Sequence, residues 1–111
     1  MNGIKQGASV FNLKPEMVIA YFIACGVYNN YSGVCYDCII TSGTDSKHSR
    51  GSQHPLGYAI DLRISNLPTE KISKITDLIR DSLAGEYQVI LETDHIHIEF
   101  DPKYSGITYI K

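Results

Sequence analysis

Tyr58–Ile64 reads YAIDLRI, and its alternation decides the fold. Tyr58, Ile60, Leu62 and Ile64 fall on one face and Ala59, Asp61 and Arg63 on the other, which is the period of a half-buried β-strand. The polar face of this strand carries a carboxylate. Just upstream, SQHPLG (52–57) reads as a loop, and Gly57 lets the backbone turn sharply into the strand.

Towards the C-terminus, YQVILETDHIHIEF (87–100) reads as a hairpin with Thr93 and Asp94 near its turn. On its second strand His95, His97 and Glu99 share one face, while Ile96, Ile98 and Phe100 point to the core. Between strand and hairpin, Pro68 opens a helix with an apolar stripe of Ile72, Ile75, Ile79 and Leu83, and Gly85 stops it. Towards the N-terminus, CIITSG (38–43) reads as a short buried strand followed by a polar loop over 42–53. Pro15 suits the first turn of another helix, over 15–28, in which Met17, Val18, Tyr21, Phe22 and Cys25 recur at helical spacing. This order lacks βαβ regularity. It predicts a single α+β domain over 1–111, a small, mainly antiparallel sheet with helices packed on one side.

A chain of 111 residues, 43% of them hydrophobic, is enough for one core and too short for two. The net charge of −2 comes from well-mixed charges, with no Lys/Arg run to track a phosphate backbone, which argues against a nucleic-acid partner. The longest apolar run, MVIAYFIACGVY (17–28), is too short to span a bilayer, and the first residues lack a signal-peptide pattern. The expectation is a monomer made in the cytoplasm without membrane insertion. Cys25, Cys35 and Cys38 are odd in number, Cys25 sits in the apolar helix, and a single CxxC has no second half, so all three are read as reduced structural thiols.

All four histidines fall in two short segments, the loop with His48 and His54 and the strand with His95 and His97. A lone strand histidine is more often a hydrogen-bonded residue than a ligand. Four of them with an aspartate at the edges of one sheet are a stronger signal. Two histidines and an aspartate give a catalytic zinc three protein ligands and leave one position open, which makes His54, Asp61 and His97 the natural set. Small Ala59 leaves room on that face, and Asp94, three residues before His97 at the turn, can serve as a base without ligating.

Taken together, SxHxxGxAxD (Ser52, His54, Gly57, Ala59, Asp61) and DHxH (Asp94, His95, His97) resemble the LAS metallopeptidases. That group comprises zinc D-Ala-D-Ala carboxypeptidases and dipeptidases, phage endolysins that cut peptidoglycan peptides, and the Hedgehog signalling domain. The likeness runs over about 39–101, and the chain's shortness is similar to phage or prophage members. The resemblance implies the fold of that group, zinc on His54, Asp61 and His97, Asp94 as general base, and His95 holding the site or the tetrahedral intermediate. It also implies a substrate or outer role for His48 and Ser52.

One departure stands out. Many of the carboxypeptidases carry an arginine shortly after a Ser-Gly in the preceding strand, whereas Ser42 and Gly43 are followed here by Thr44 and Asp45. The cation for an oxyanion or a substrate carboxylate then falls to Arg50 or Arg63. The expected activity is zinc-dependent hydrolysis of peptidoglycan stem peptides, either D-Ala-D-Ala or L-Ala-D-Glu, after release to the cell wall. The alternatives are a zinc-stabilised Hedgehog-like binding module and a phage structural protein with a closed site.

Overall fold

The computed structural model describes residues 1–45, 54–83 and 85–101. Their elements are β1 (Gly3–Ile4), α1 (Pro15–Asn29), β2 (Ile39–Ser42), β3 (Ala59–Arg63), α2 (Thr69–Ser82), β4 (Tyr87–Leu91) and β5 (His95–Phe100). The sheet order is β1-β2-β3-β5-β4, antiparallel throughout except for the parallel pair β1–β2. The expected α+β architecture is therefore the one observed. No helix among the described residues is long and apolar enough to cross a membrane.

The period-two pattern of β3 and β5 builds the core directly. Ile60, Leu62, Ile96 and Ile98 are fully buried, and their register makes Ile60 face Ile98 and Leu62 face Ile96. Each such aliphatic side chain contributes about 1.5–3 kcal/mol on burial. Both helices cover this face: Met17, Ala20 and Ala24 of α1 and Ile75 and Ile79 of α2 are wholly buried in the same cluster. α2 runs much as its stripe predicts, ending at Ser82 ahead of Gly85.

Three expectations are revised. The buried residues of α1 are Met17, Ala20, Ala24, Cys25 and Tyr28, whereas Val18 and Phe22 are exposed. This helix is apolar nearly all round, so spacing alone does not choose its inner stripe; the alanines allow a close approach to the sheet, and the Tyr28 hydroxyl donates to the Arg63 carbonyl at 2.7 Å. Second, β3 is buried on both faces rather than half-buried, with Ala59 fully covered and Asp61 only 4% exposed. Third, β1 is an additional strand, whose two residues are too few to show a period.

Segment 9–14 meets both ends of the loop that leads into β3. Thr44 N–H donates to the Ser9 carbonyl, and the Asp45 carboxylate accepts from the Ser9 and Gly43 amides at 2.9 and 2.8 Å. At the other end Lys14 N–H donates to the Gly57 carbonyl. Gly57 has φ +82°, and a Cβ there would lie 2.5 Å from the Asn12 carbonyl oxygen, so both conformation and space require glycine.

Candidate metal centre

Register brings the site together before any side chain is considered. In the β3–β5 ladder Asp61 lies opposite His97, Arg63 opposite His95, and Ala59 opposite Glu99. Directly opposed residues on one face have adjacent side chains, so the covered polar face of β3 meets the histidines of β5. His54 reaches the same point from the turn 54–57, closed by a Gly57 N–H bond to the His54 carbonyl at 3.0 Å.

Asp61 Oδ1 is the hub. It lies 2.9 Å from His97 Nδ1, 3.2 Å from His54 Nε2 and 3.5 Å from His95 Nε2. The rings of His54 and His97 meet edge-on, with centroids 5.1 Å apart. His54 is 1% exposed, as covered as the aliphatic core. Burial disfavours the Asp61 carboxylate, but hydrogen bonds from His54 and His97 outweigh it and hold the group well below the usual carboxylate range. For His97 burial opposes the charge, while hydrogen bonds to Asp61 and Glu99 raise its pKa above the ordinary 6.5.

Each histidine of the pair has its other ring nitrogen anchored on an oxygen. His54 Nδ1 donates to the Gly43 carbonyl at 3.0 Å, which turns Nε2 to the hub. His97 Nε2 donates to Glu99 Oε1 at 2.8 Å, which turns Nδ1 to the hub. Metal-binding histidines are anchored in this way, the far nitrogen tied to a carbonyl or carboxylate so that the near one presents its lone pair. One donor atom each from His54, Asp61 and His97 lies within 4.8 Å of the others, and this group can hold a metal ion. The donor set fits a cation: one anionic oxygen and two oriented imidazoles, with the charge already assembled.

Among the described residues no such group includes a cysteine. Cys25 and Cys38 are buried, Cys35 is exposed, and all three are free thiols.

Asp94 and His95 form a second pair beside the hub. Asp94 is largely exposed at the β4–β5 turn, and its Oδ1 lies 2.6 Å from His95 Nδ1, leaving His95 Nε2 facing Asp61. An open cleft of about 450 Å³ reaches the hub at Asp61, lined by Lys5, Thr41, Ser42, Asp61, Arg63, Ser65, Asp94 and His95. Among the described residues neither Lys5 nor Arg63 makes a side-chain ion pair. Arg63 is thus in the cleft, as one of the two cations considered from sequence; Arg50, Ser52 and His48 lie outside the described residues.

The alternation of β5 already places Glu99 on the face of His97 in the sequence, and the structure pairs the two. Sequence reasoning passed over two other contributors. The Gly43 carbonyl and Lys5 left no such signal, because a backbone oxygen has no sequence signature and β1 has no period.

No family model matches the chain, and neither a curated protein nor a solved structure matches it.

Proposed function

We propose that the protein is a zinc-dependent peptidase acting on peptidoglycan stem peptides. What supports this most directly is the His54–Asp61–His97 cluster, whose Asp61 opens onto a cleft that also carries a carboxylate–imidazole pair and two cations. The LAS resemblance, carried by the two motifs alone, supplies the substrate class.

Two histidines and one carboxylate are the donor set of a zinc site with a position to spare, and His54, Asp61 and His97 would hold the ion. Zinc so held supplies Lewis acidity, polarising the scissile carbonyl and lowering the pKa of water towards about 7. The remaining work falls to the chain's own groups. Asp94 takes the proton from the attacking water and returns it to the departing nitrogen, with His95 beside it between turn and cluster. Arg63 and Lys5 bind the negative charge of the peptide or of the developing oxyanion. The covered inner side, with His54 and Asp61 both buried, keeps bulk water off the donors.

A competing reading has one observation in its favour. His95 Nε2 lies 3.5 Å from Asp61 Oδ1, beside the three-residue group, and a movement of its ring into that group would close a four-ligand site, which would make the metal structural and the protein a binding module. Mass spectrometry of purified muropeptides after incubation with zinc-loaded protein separates the two. Loss of terminal D-Ala, or scission of L-Ala-D-Glu with glycan strands intact, is the expected result. Intact muropeptides would overturn the peptidase reading.

A further inference from the structure

We infer that Glu99 is a positioning residue of the metal centre: its carboxylate fixes which nitrogen of His97 meets the ion. The inference rests on the metal site proposed above, but its physical content is already present in the metal-free protein.

The His97 ring is held between two carboxylates, Asp61 at Nδ1 and Glu99 at Nε2, at 2.9 and 2.8 Å. A neutral imidazole has one hydrogen and one lone pair, and only the nitrogen with the lone pair can bind a cation. An acceptor at Nε2 keeps the hydrogen there and leaves Nδ1 to the metal. Without that acceptor either tautomer is open, and the ring gains freedom to turn about its Cβ–Cγ bond.

The fold provides for this contact. Glu99 lies two residues beyond His97 on the same face of β5, between Ala59 of β3 and Gln88 of β4, and on the β3 side the Ala59 methyl leaves space where a larger side chain would compete. The Glu99 and His97 side chains are each only 15% exposed, so the bond is shielded from water. Glu99 meets the far side of the His97 ring from Asp61. That placement gives it an orienting task and separates it from Asp94, which lines the cleft.

The test uses zinc as the probe, with competition against a chelator, and three variants. Glu99→Gln keeps an acceptor oxygen at nearly the same length and should bind zinc within a few-fold of the parent. Glu99→Leu and Glu99→Ala remove the acceptor and should bind about 10–100-fold more weakly, the usual loss for an outer partner of a ligand. A second readout needs no metal. In ¹⁵N-labelled apo protein the His97 Nε2–H proton should be visible and slow to exchange in the parent and Glu99→Gln, and lost in Glu99→Leu and Glu99→Ala. If the parent binds no zinc, the metal reading fails, and the proton signal still decides whether Glu99 holds the ring. If both Glu99→Leu and Glu99→Ala bind zinc as tightly as the parent, or if Glu99→Gln is as weak as they are, the positioning role is wrong. Thermal melting of each apo variant shows which samples are folded, and Glu99→Ala carries the test if Glu99→Leu is not.

Discussion

The two faces of the β3–β5 pair are made by the same strands in the same register, yet they do opposite things. One presents Ile60, Leu62, Ile96 and Ile98, all fully buried against α1 and α2. The other presents Asp61 opposite His97 and Arg63 opposite His95, with Asp61 only 4% exposed and His54 laid over it at 1%. Burial is thus no guide to which face is the core. The aliphatic face gains from leaving water, whereas the polar face bears a desolvation cost that its ion pairs must offset. A protein maintains such a face when the assembled charges have a use.

The contrast breaks hardest at Asp61. Asp61→Ala removes the anionic donor and the hub on which His54, His95 and His97 converge. Zinc affinity should fall by more than the roughly 10–100-fold typical of losing an outer partner. Chelator competition checks it, and undiminished binding would place the metal elsewhere. On the opposite face Ile98→Ala should cost about 2–5 kcal/mol of stability, as large aliphatic truncations in cores do. Zinc bound per folded molecule should stay the same, so denaturant melts and zinc content measured on one sample show whether the faces are independent. A parallel loss of zinc would mean that they are not.

Asp94→Asn probes the rim without touching either covered face, because the Asp94 side chain is 86% exposed. Zinc content and melting should match the parent, while peptide turnover falls about 10²–10⁴-fold, the usual cost of a general base. Unchanged turnover would pass the proton-transfer role to His95, whose Nε2 faces the cluster.

The smallest effect is in pH. Asp61 has its pKa lowered from 3.8, so its contribution to apo stability is present above that value and is lost as pH falls through the lower, folded one. His97 has its pKa raised from 6.5, so its contribution is complete below that value and is lost as pH rises through the higher, folded one. The apo protein should therefore gain most from this cluster between about pH 3.8 and 6.5. Zinc must displace the proton on His97 Nδ1, so the rise in melting temperature on adding zinc should grow as pH climbs through the His97 value. Melting scans with and without zinc over that range check both signs, and zinc stabilisation that is flat with pH would argue against His97 as a ligand.

Much of this is legible residue by residue. The period of two in YAIDLRI and HIHIEF assigns both faces of β3 and β5, and with them places Asp61, His95 and His97 among polar neighbours. The 3.6-residue stripe of α2 is similarly plain, because its other side is charged. In α1 the same method chooses wrongly, burying Val18 and Phe22 in expectation and exposing them in fact, since a helix without a polar side carries no phase.

What the sequence determined by itself, then, is the kind of each element and the chemistry of each strand face, because period and side-chain type are local properties of a chain. Which strand lies beside which is not local. The structure alone decided that β3 is flanked by β2 and β5, that Asp61 stands opposite His97 rather than one pair along, that segment 9–14 is hydrogen-bonded to both ends of the loop leading into β3, and that the 54–57 turn brings His54 onto a face the alternation had left open. It also decided that Lys5, some 56 residues from Asp61 in the chain, shares a cleft with it. Such contacts join residues far apart in sequence, and their free energy depends on the whole sheet and its covering loops being formed at once, which no window of residues can report.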